Sequence, residues 1–249
     1  MRYALLQYEI ACNQKVVRTV NTQLHQPGFM FAVGESNRLQ QQLVRRMGQA
    51  YRRFRASWNG LVRDPYLRDG GDYRYRRYSV LHWRHGKLTV LPHEPHYQSS
   101  HYNHVHGGFN RHFRAWLPTT LQNPVLTSIV RWATQQFSRS PQELWRIQAH
   151  QFRIVAQPDQ LGKPTPEGVH KDGAEYILIM MMDRQNIQGG VSRIYDNAMQ
   201  PLAEGTLQTQ GDLVIVNDHA VYHGVTEIAP AEPTRRAWRD VLVLTFHRQ

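Results

Sequence analysis

The chain has 249 residues, 41% of them hydrophobic, and thirty Lys and Arg against nineteen Asp and Glu give a net charge of +11. That apolar content supports a sizeable core and excludes overall disorder. Its single cysteine, Cys12, excludes an intramolecular disulfide and any Cys-rich zinc or iron–sulfur site, so a reducing cytoplasm is the expected compartment.

In chain order, the opening MRYALLQYEIACNQ carries an acid and polar breaks where a signal peptide needs an unbroken apolar run. The longest apolar run, Tyr176 to Met182, is far short of a membrane span, and no membrane partner is expected. Ser36 can cap a helix through Leu39, Leu43, Val44, Met47 and Tyr51, with its arginines on the other faces. Between Arg45 and Lys87, twelve basic residues meet three acidic ones, interleaved with Tyr51, Phe54, Trp58, Tyr73, Tyr75 and Tyr78. Such a stretch can bind nucleic acid through phosphate contacts and stacking, or serve as a solvated helix face or an entrance for anionic small molecules.

Eight histidines follow from His82 to His112, but no cysteine or carboxylate completes a regular zinc spacing, which favours a surface hairpin over a metal site. Asn123 as N-cap and Pro124 as first helical residue predict a second helix, whose stripe of Leu126, Ile129, Val130, Ala133 and Phe137 ends before Pro141. From Ile147 onward the pattern changes to short strands separated by Gly, Pro, Asn and Asp: Ile147–Ala156, Glu175–Met182, Ser192–Tyr195, Asp212–Val216, Val225–Ile228 and Asp240–Phe246. Mainly β structure with flanking helices is expected, in an antiparallel double-stranded β-helix, or jelly roll, rather than a βαβ fold. No glycine-rich phosphate loop is present, which disfavours nucleotide-dependent chemistry.

The sharpest local feature is Pro166-Glu167-Gly168-Val169-His170-Lys171-Asp172-Gly173. On extended backbone, residues two apart share a face, so His170 and Asp172 can offer a nitrogen and an oxygen to one point. A later histidine, His223, lies directly after the apolar run Asp212–Val216, where a strand end or turn would present it inward. Two histidines and one carboxylate leave coordination positions open, which suits a non-haem Fe(II) that must also bind a cosubstrate and O2. Arg239 opens the last strand and can hold a distal carboxylate through a bidentate pair, whereas Arg235 and Arg236 follow Pro230 and Pro233 in a loop.

These residues resemble the Fe(II)/2-oxoglutarate-dependent dioxygenases. More narrowly, PEGVHKDG, the run NIQGGVSRIYD from Asn186 and RDVLVLTF from Arg239 resemble the bacterial branch that hydroxylates free L-amino acids, the L-isoleucine dioxygenase type. Upstream, Arg76-Arg77-Tyr78, Tyr97-Gln98, Asn103, Gly107-Gly108 and Arg111-His112-Phe113 resemble the region before the barrel in that branch. The resemblance runs from about Tyr73 to Phe246, and the basic stretch and the dense histidines depart from it.

The resemblance implies Fe(II) on His170, Asp172 and His223, Arg239 on the 5-carboxylate of 2-oxoglutarate, and hydroxylation of a small molecule, a free amino acid or a similar metabolite, with succinate and CO2 as coproducts. Glu167 can pair with a substrate ammonium or stand as a solvated turn carboxylate. Arg153 can face the interior and hold a carboxylate of substrate or cosubstrate, or point to solvent. Asn186, Gly189 and Gly190 can shape the pocket wall or form an ordinary loop. One domain is expected over 1–249, with an N-terminal helical and hairpin region at 1–115 packed on a jelly-roll core at 116–249. The competing functions are a nucleic-acid- or basic-protein-directed oxygenase or binding protein that uses Arg45–Lys87, and a jelly roll whose metal is structural.

Overall fold

Sheets buried on both faces need nearly continuous apolar strands, and the run through Tyr176 to Met182 and the run ending at Val216 meet that need. The computed structural model describes residue 24 and residues 27–34, 37–105 and 107–249. Cys12, Ser36 and His106 lie outside the described residues. The strands in chain order are β1 (Phe29–Ala32), β2 (Val62–Arg63), β3 (Arg74–Arg84), β4 (Lys87–Val90), β5 (Trp145–Ala156), β6 (Tyr176–Gln185), β7 (Ile187–Gly189), β8 (Val191–Tyr195), β9 (Pro201–Thr206), β10 (Leu213–Asn217), β11 (Tyr222–Val225), β12 (Ile228–Pro230) and β13 (Ala237–Arg248).

The large antiparallel sheet has the order β1-β10-β6-β13-β5-β3-β2, with β4 paired to β3. Facing it are the ladders β11-β8-β9 and β12-β7, extended by a bridge between His170 and His223. This is the jelly roll expected from the sequence. The expected boundary at residue 115 does not separate sheet from flank, because β1 to β4 join the same sheet as β5 and β13. The expected strand Val225–Ile228 is corrected to two, β11 and β12, which pair with different partners, β8 and β7.

The second expected helix forms, and the first is corrected to a broken run capped by Asn37. Asn123 Oδ1 accepts from Val125 N at 3.0 Å, and the whole stripe from Leu126 to Phe137 is buried in the Pro124–Phe137 helix. Nearer the N-terminus, Asn37 caps the Arg38–Gln41 helix by accepting from Gln40 N. A π-helical turn at Gln42–Arg46 then leads into the Gly48–Ala56 helix. Leu39, Leu43, Tyr51 and Phe54 are buried, but Val44, in the π-helical turn, is 48% exposed, a correction to the expected stripe. No helix among the described residues is long and apolar enough to cross a membrane.

The helices pack on the outer face of the large sheet, burying Trp58, Phe137, Trp145, Leu242, Leu244 and Phe246 in one cluster. Between the sheets, Ile177, Met181, Val214, Val216 and Ile194 fill the β10–β6 side. That filling leaves an interior space along β13, β5 and β3.

Candidate active site

The ligand motif is held by backbone before any side chain acts. His170 N donates to His223 O at 2.9 Å and His223 N to His170 O at 3.0 Å, so the two histidines sit opposite one another at the edge of the smaller sheet. Their ring centroids lie 4.5 Å apart. Asp218 gathers the next turn, accepting from the backbone N–H of Asp172, Gly173 and Ala174 at 3.0, 2.7 and 3.1 Å. Gly173 sits at φ +78° against the ring of Tyr102, which a Cβ would meet at 2.6 Å, so only glycine fits there.

One ligand atom from each of His170, Asp172 and His223 lies within 4.8 Å of the others. Asp172 Oδ1 is 3.6 Å from His170 Nε2, and Oδ2 is 3.6 Å from His223 Nε2. Burial by itself lowers the basicity of both imidazoles, but the neighbouring Asp172 and Glu167 raise His170 to about 10. His223, with burial and His170 against it, falls to about 3. Burial also works against the Asp172 carboxylate, yet His170 and His223 hold it below the usual carboxylate range. The point where the three meet therefore attracts positive charge, and two imidazoles with one carboxylate are the donor set of an octahedral divalent ion with open positions.

These groups open onto a cavity of about 280 Å³ between the two sheets. Arg239 reaches into it from β13 and is 1% exposed, with no hydrogen-bond partner on Nε or Nη2. Burial, and Arg184 nearby, push it down to about 10. Gly190, at φ +71°, lies beside this side chain, and a Cβ there would crowd Arg184 Nη1 at 3.0 Å and Ile228 at 3.2 Å. Such a buried guanidinium with free N–H groups fits an acid group of a ligand. Arg235 and Arg236 stay exposed on their loop, and Arg235 pairs with Glu232. Glu167 lines the cavity, with Oε1 3.5 Å from His170 Nε2 and Oε2 buried without a partner.

Arg153 is a correction. Alternation along β5 turns Gln148, His150, Phe152 and Ile154 to the cavity, and Arg153 to the opposite face. There Nε and Nη2 make a bidentate pair with Asp240 at 2.7 Å each, so Arg153 is not available to a ligand in the cavity. Asn186 also stays outside, tying its loop to Glu232 and Arg235.

Several cavity residues were not foreseen as such. Arg74 and Arg76 alternate on β3, Arg111 enters from the segment after His96, and Gln98 Nε2 donates to Asp172 Oδ1 at 3.0 Å. The sequence carried no clear signal for them, because arginines stand at the buried positions of β3 where a strand pattern calls for apolar residues. The basic stretch thus divides: Arg45, Arg46, Arg52 and Arg53 are exposed, while Arg74 and Arg76 point inward. The histidines scatter too, with His96 in the cavity wall and His93 on the Phe113 carbonyl.

Comparison with known proteins agrees with this geometry. An L-isoleucine-4-hydroxylase of Bacillus thuringiensis is 27% identical over 154 residues, 60% of this chain and 64% of that enzyme, so the match spans less than two thirds of the relative. A 3(1)-hydroxy-L-isoleucine 4-dioxygenase of Pantoea ananatis (strain AJ13355) is 23% identical over 201 residues, 78% of this chain and 80% of that one. The crystal structure of a bsmA homolog from Methylobium petroleophilum PM1 superposes with a TM-score of 0.76 at 30% identity, covering 90% of each chain. Residues 55–245 match the family model of the 2OG-Fe dioxygenases. With a two-histidine, one-carboxylate cluster inside a jelly roll and that match across most of its length, the chain belongs to the 2OG-Fe dioxygenase family, enzymes that use Fe(II), 2-oxoglutarate and O2.

Proposed function

We propose that this enzyme hydroxylates a free L-amino acid, with Fe(II) held by His170, Asp172 and His223 and the distal carboxylate of 2-oxoglutarate held by Arg239. The observation that carries this reading is a single chamber joining three converging ligand atoms to a fully buried guanidinium with unpartnered N–H groups. When bound, Fe(II) would activate O2 with 2-oxoglutarate as the reductant, one oxygen atom going to the substrate hydroxyl group and the other to succinate, with release of CO2.

The chain's own residues hold and aim. His170 Nδ1 donates to the Gly168 carbonyl at 3.0 Å, which leaves Nε2 as the free nitrogen facing Asp172. Gln98 restrains one oxygen of Asp172, and Asn103 Nδ2 fixes the Gln98 amide by donating to its Oε1 at 3.1 Å. Arg239 acts in a space that excludes most water, where its charge is felt more strongly than at a surface. Glu167, with a free buried oxygen, is suited to a substrate ammonium.

The relatives named for L-isoleucine and 3(1)-hydroxy-L-isoleucine support a free amino acid as substrate. A cavity of about 280 Å³ favours a small molecule over a polymer. We take the chain as one catalytic domain working in the cytoplasm, in keeping with its lone cysteine. The test is succinate formation with Fe(II), ascorbate, 2-oxoglutarate and each of the twenty amino acids. A signal that depends strictly on an amino acid is expected. A signal driven only by an oligonucleotide, and by none of the amino acids, would make the polymer the substrate.

A further inference from the structure

Three buried arginines in the chamber lie outside the set assigned above to iron and 2-oxoglutarate. Arg74, Arg76 and Arg111 are 6%, 3% and 2% exposed and line the same cavity. The carboxylate paired with them is Asp64, whose Oδ2 is 2.8 Å from Arg74 Nε and 3.5 Å from Arg76 Nη1. Neutral groups take further N–H bonds: His150 Nδ1 lies 2.7 Å from Arg76 Nη2, and Arg111 Nη2 lies 2.8 Å from His96 Nδ1 and donates to Gln98 Oε1 at 3.3 Å. Burial first, and the surrounding arginines next, hold both histidines well below their ordinary basicity, so they accept these hydrogen bonds as neutral rings and add no negative charge. Each guanidinium still keeps one buried N–H group without a partner, on Arg74 Nη2, Arg76 Nε and Arg111 Nε.

The surroundings also separate this group from Arg239. Arg76 is sandwiched between Phe113 and Phe152, with ring centroids 3.6 and 4.4 Å from Cζ. In register, Arg74 stands opposite Ile154, and Ile154 opposite Arg239, so β5 intervenes between the two arginines on the floor of the chamber. Aliphatic lining, from Ile177, Ile179, Val241 and Val243, comes from β6 and β13 on the Arg239 side.

We propose that the amino acid taken by this enzyme is acidic, its α-carboxylate and a second carboxylate shared among Arg74, Arg76 and Arg111 while its ammonium faces Glu167. This rests on the amino-acid reading above. Asp64 neutralises one of the three guanidinium charges; Glu167 and Asp172 also act on Arg111, but the substrate ammonium and the metal take up those two carboxylates, which leaves two cationic charges. An aliphatic amino acid brings one carboxylate and would strand a cation in a desolvated wall, whereas a dicarboxylic amino acid closes the balance and supplies acceptors for the free N–H groups.

The experiment compares L-aspartate, L-glutamate and L-2-aminoadipate with L-leucine, L-isoleucine and L-methionine. Binding is measured by calorimetry on the anaerobic Fe(II) holoenzyme saturated with 2-oxoglutarate, and turnover by succinate release in air. At least one acidic amino acid is expected to bind roughly 10- to 100-fold tighter than any aliphatic one, as an extra charge-assisted pair predicts, and to drive succinate release. In R111Q that preference should shrink by a similar factor while the 2-oxoglutarate requirement stays unchanged. Equal or tighter binding of the aliphatic set overturns the acidic assignment and leaves the amino-acid reading standing. Failure of both sets to bind or turn over overturns the acidic assignment, while the amino-acid reading falls only if none of the twenty amino acids drives succinate release. The comparison on the unaltered enzyme decides the matter even if R111Q does not fold.

Discussion

Alternate residues of the same strands build the two faces of the large sheet, and the faces differ in what they bury, apolar side chains on one and guanidinium groups on the other. On the helix side of β13, Leu242, Leu244 and Phe246 share an apolar cluster with Phe137 and Trp145. Charges at its margin are matched, Arg153 to Asp240 and Arg55 to Asp183. On the cavity side, Arg239, Arg74 and Arg76 each retain a buried N–H group with no acceptor. Because successive side chains of a strand face opposite ways, one strand can be half foundation and half site. Apolar burial on the helix face offsets the cost of donors kept free on the other.

The largest expected effect separates the faces outright. Asp172→Ala should abolish succinate formation and weaken Fe(II) binding, since two protein ligands remain where three are needed, while the thermal unfolding midpoint stays close to the parent's. Turnover retained without added carboxylate or halide would remove Asp172 from the ligand set. Leu244→Ala is the converse. It removes a fully buried side chain from the helix face, so urea unfolding should report a loss of about 3 to 5 kcal/mol, with unchanged turnover per folded molecule. A changed 2-oxoglutarate KM in that variant would show that the faces are coupled.

A sharper contrast uses two arginines on neighbouring strands. Arg239→Ala should weaken 2-oxoglutarate binding by on the order of 2 to 5 kcal/mol, read as a rise in KM, with iron binding little changed. Arg153→Ala should leave that KM alone and instead lower stability by about 1 to 3 kcal/mol, because Asp240 stays buried without its partner. The reverse pattern would put the cosubstrate anchor on the wrong face. The smallest effect is Asn123→Ala, which removes a helix cap and the Nδ2 bond to Ala50 O, and should cost about 1 to 2 kcal/mol in thermal or urea unfolding, with no change in any KM.

How much was legible from the sequence depended on the range of the interaction. The Pro124–Phe137 helix was readable because its cap, its proline and its stripe are all local. His170 and Asp172 were readable for the same reason, as two residues on one face of an extended segment. β3 was hidden inside a stretch that reads as a basic patch, since Arg74 and Arg76 occupy buried positions where a strand pattern calls for apolar residues. Splitting Val225–Ile228 into β11 and β12 depends on two separate partner strands, which no feature of those four residues specifies.

By itself, then, the sequence determined the strand-rich class, the His-x-Asp pair on one extended segment and an arginine near the start of the last strand, all carried by short-range pattern. Tertiary structure decided which way Arg153 points and that Arg74, Arg76 and Arg111 meet in one chamber. In β5 the apolar residues fall on one parity at Trp145, Ile147 and Ala149 and on the other at Phe152, Ile154 and Ala156. A sheet covered on both faces blurs the alternation that marks inside from outside, so only pairing with β3 and β13 assigns the faces.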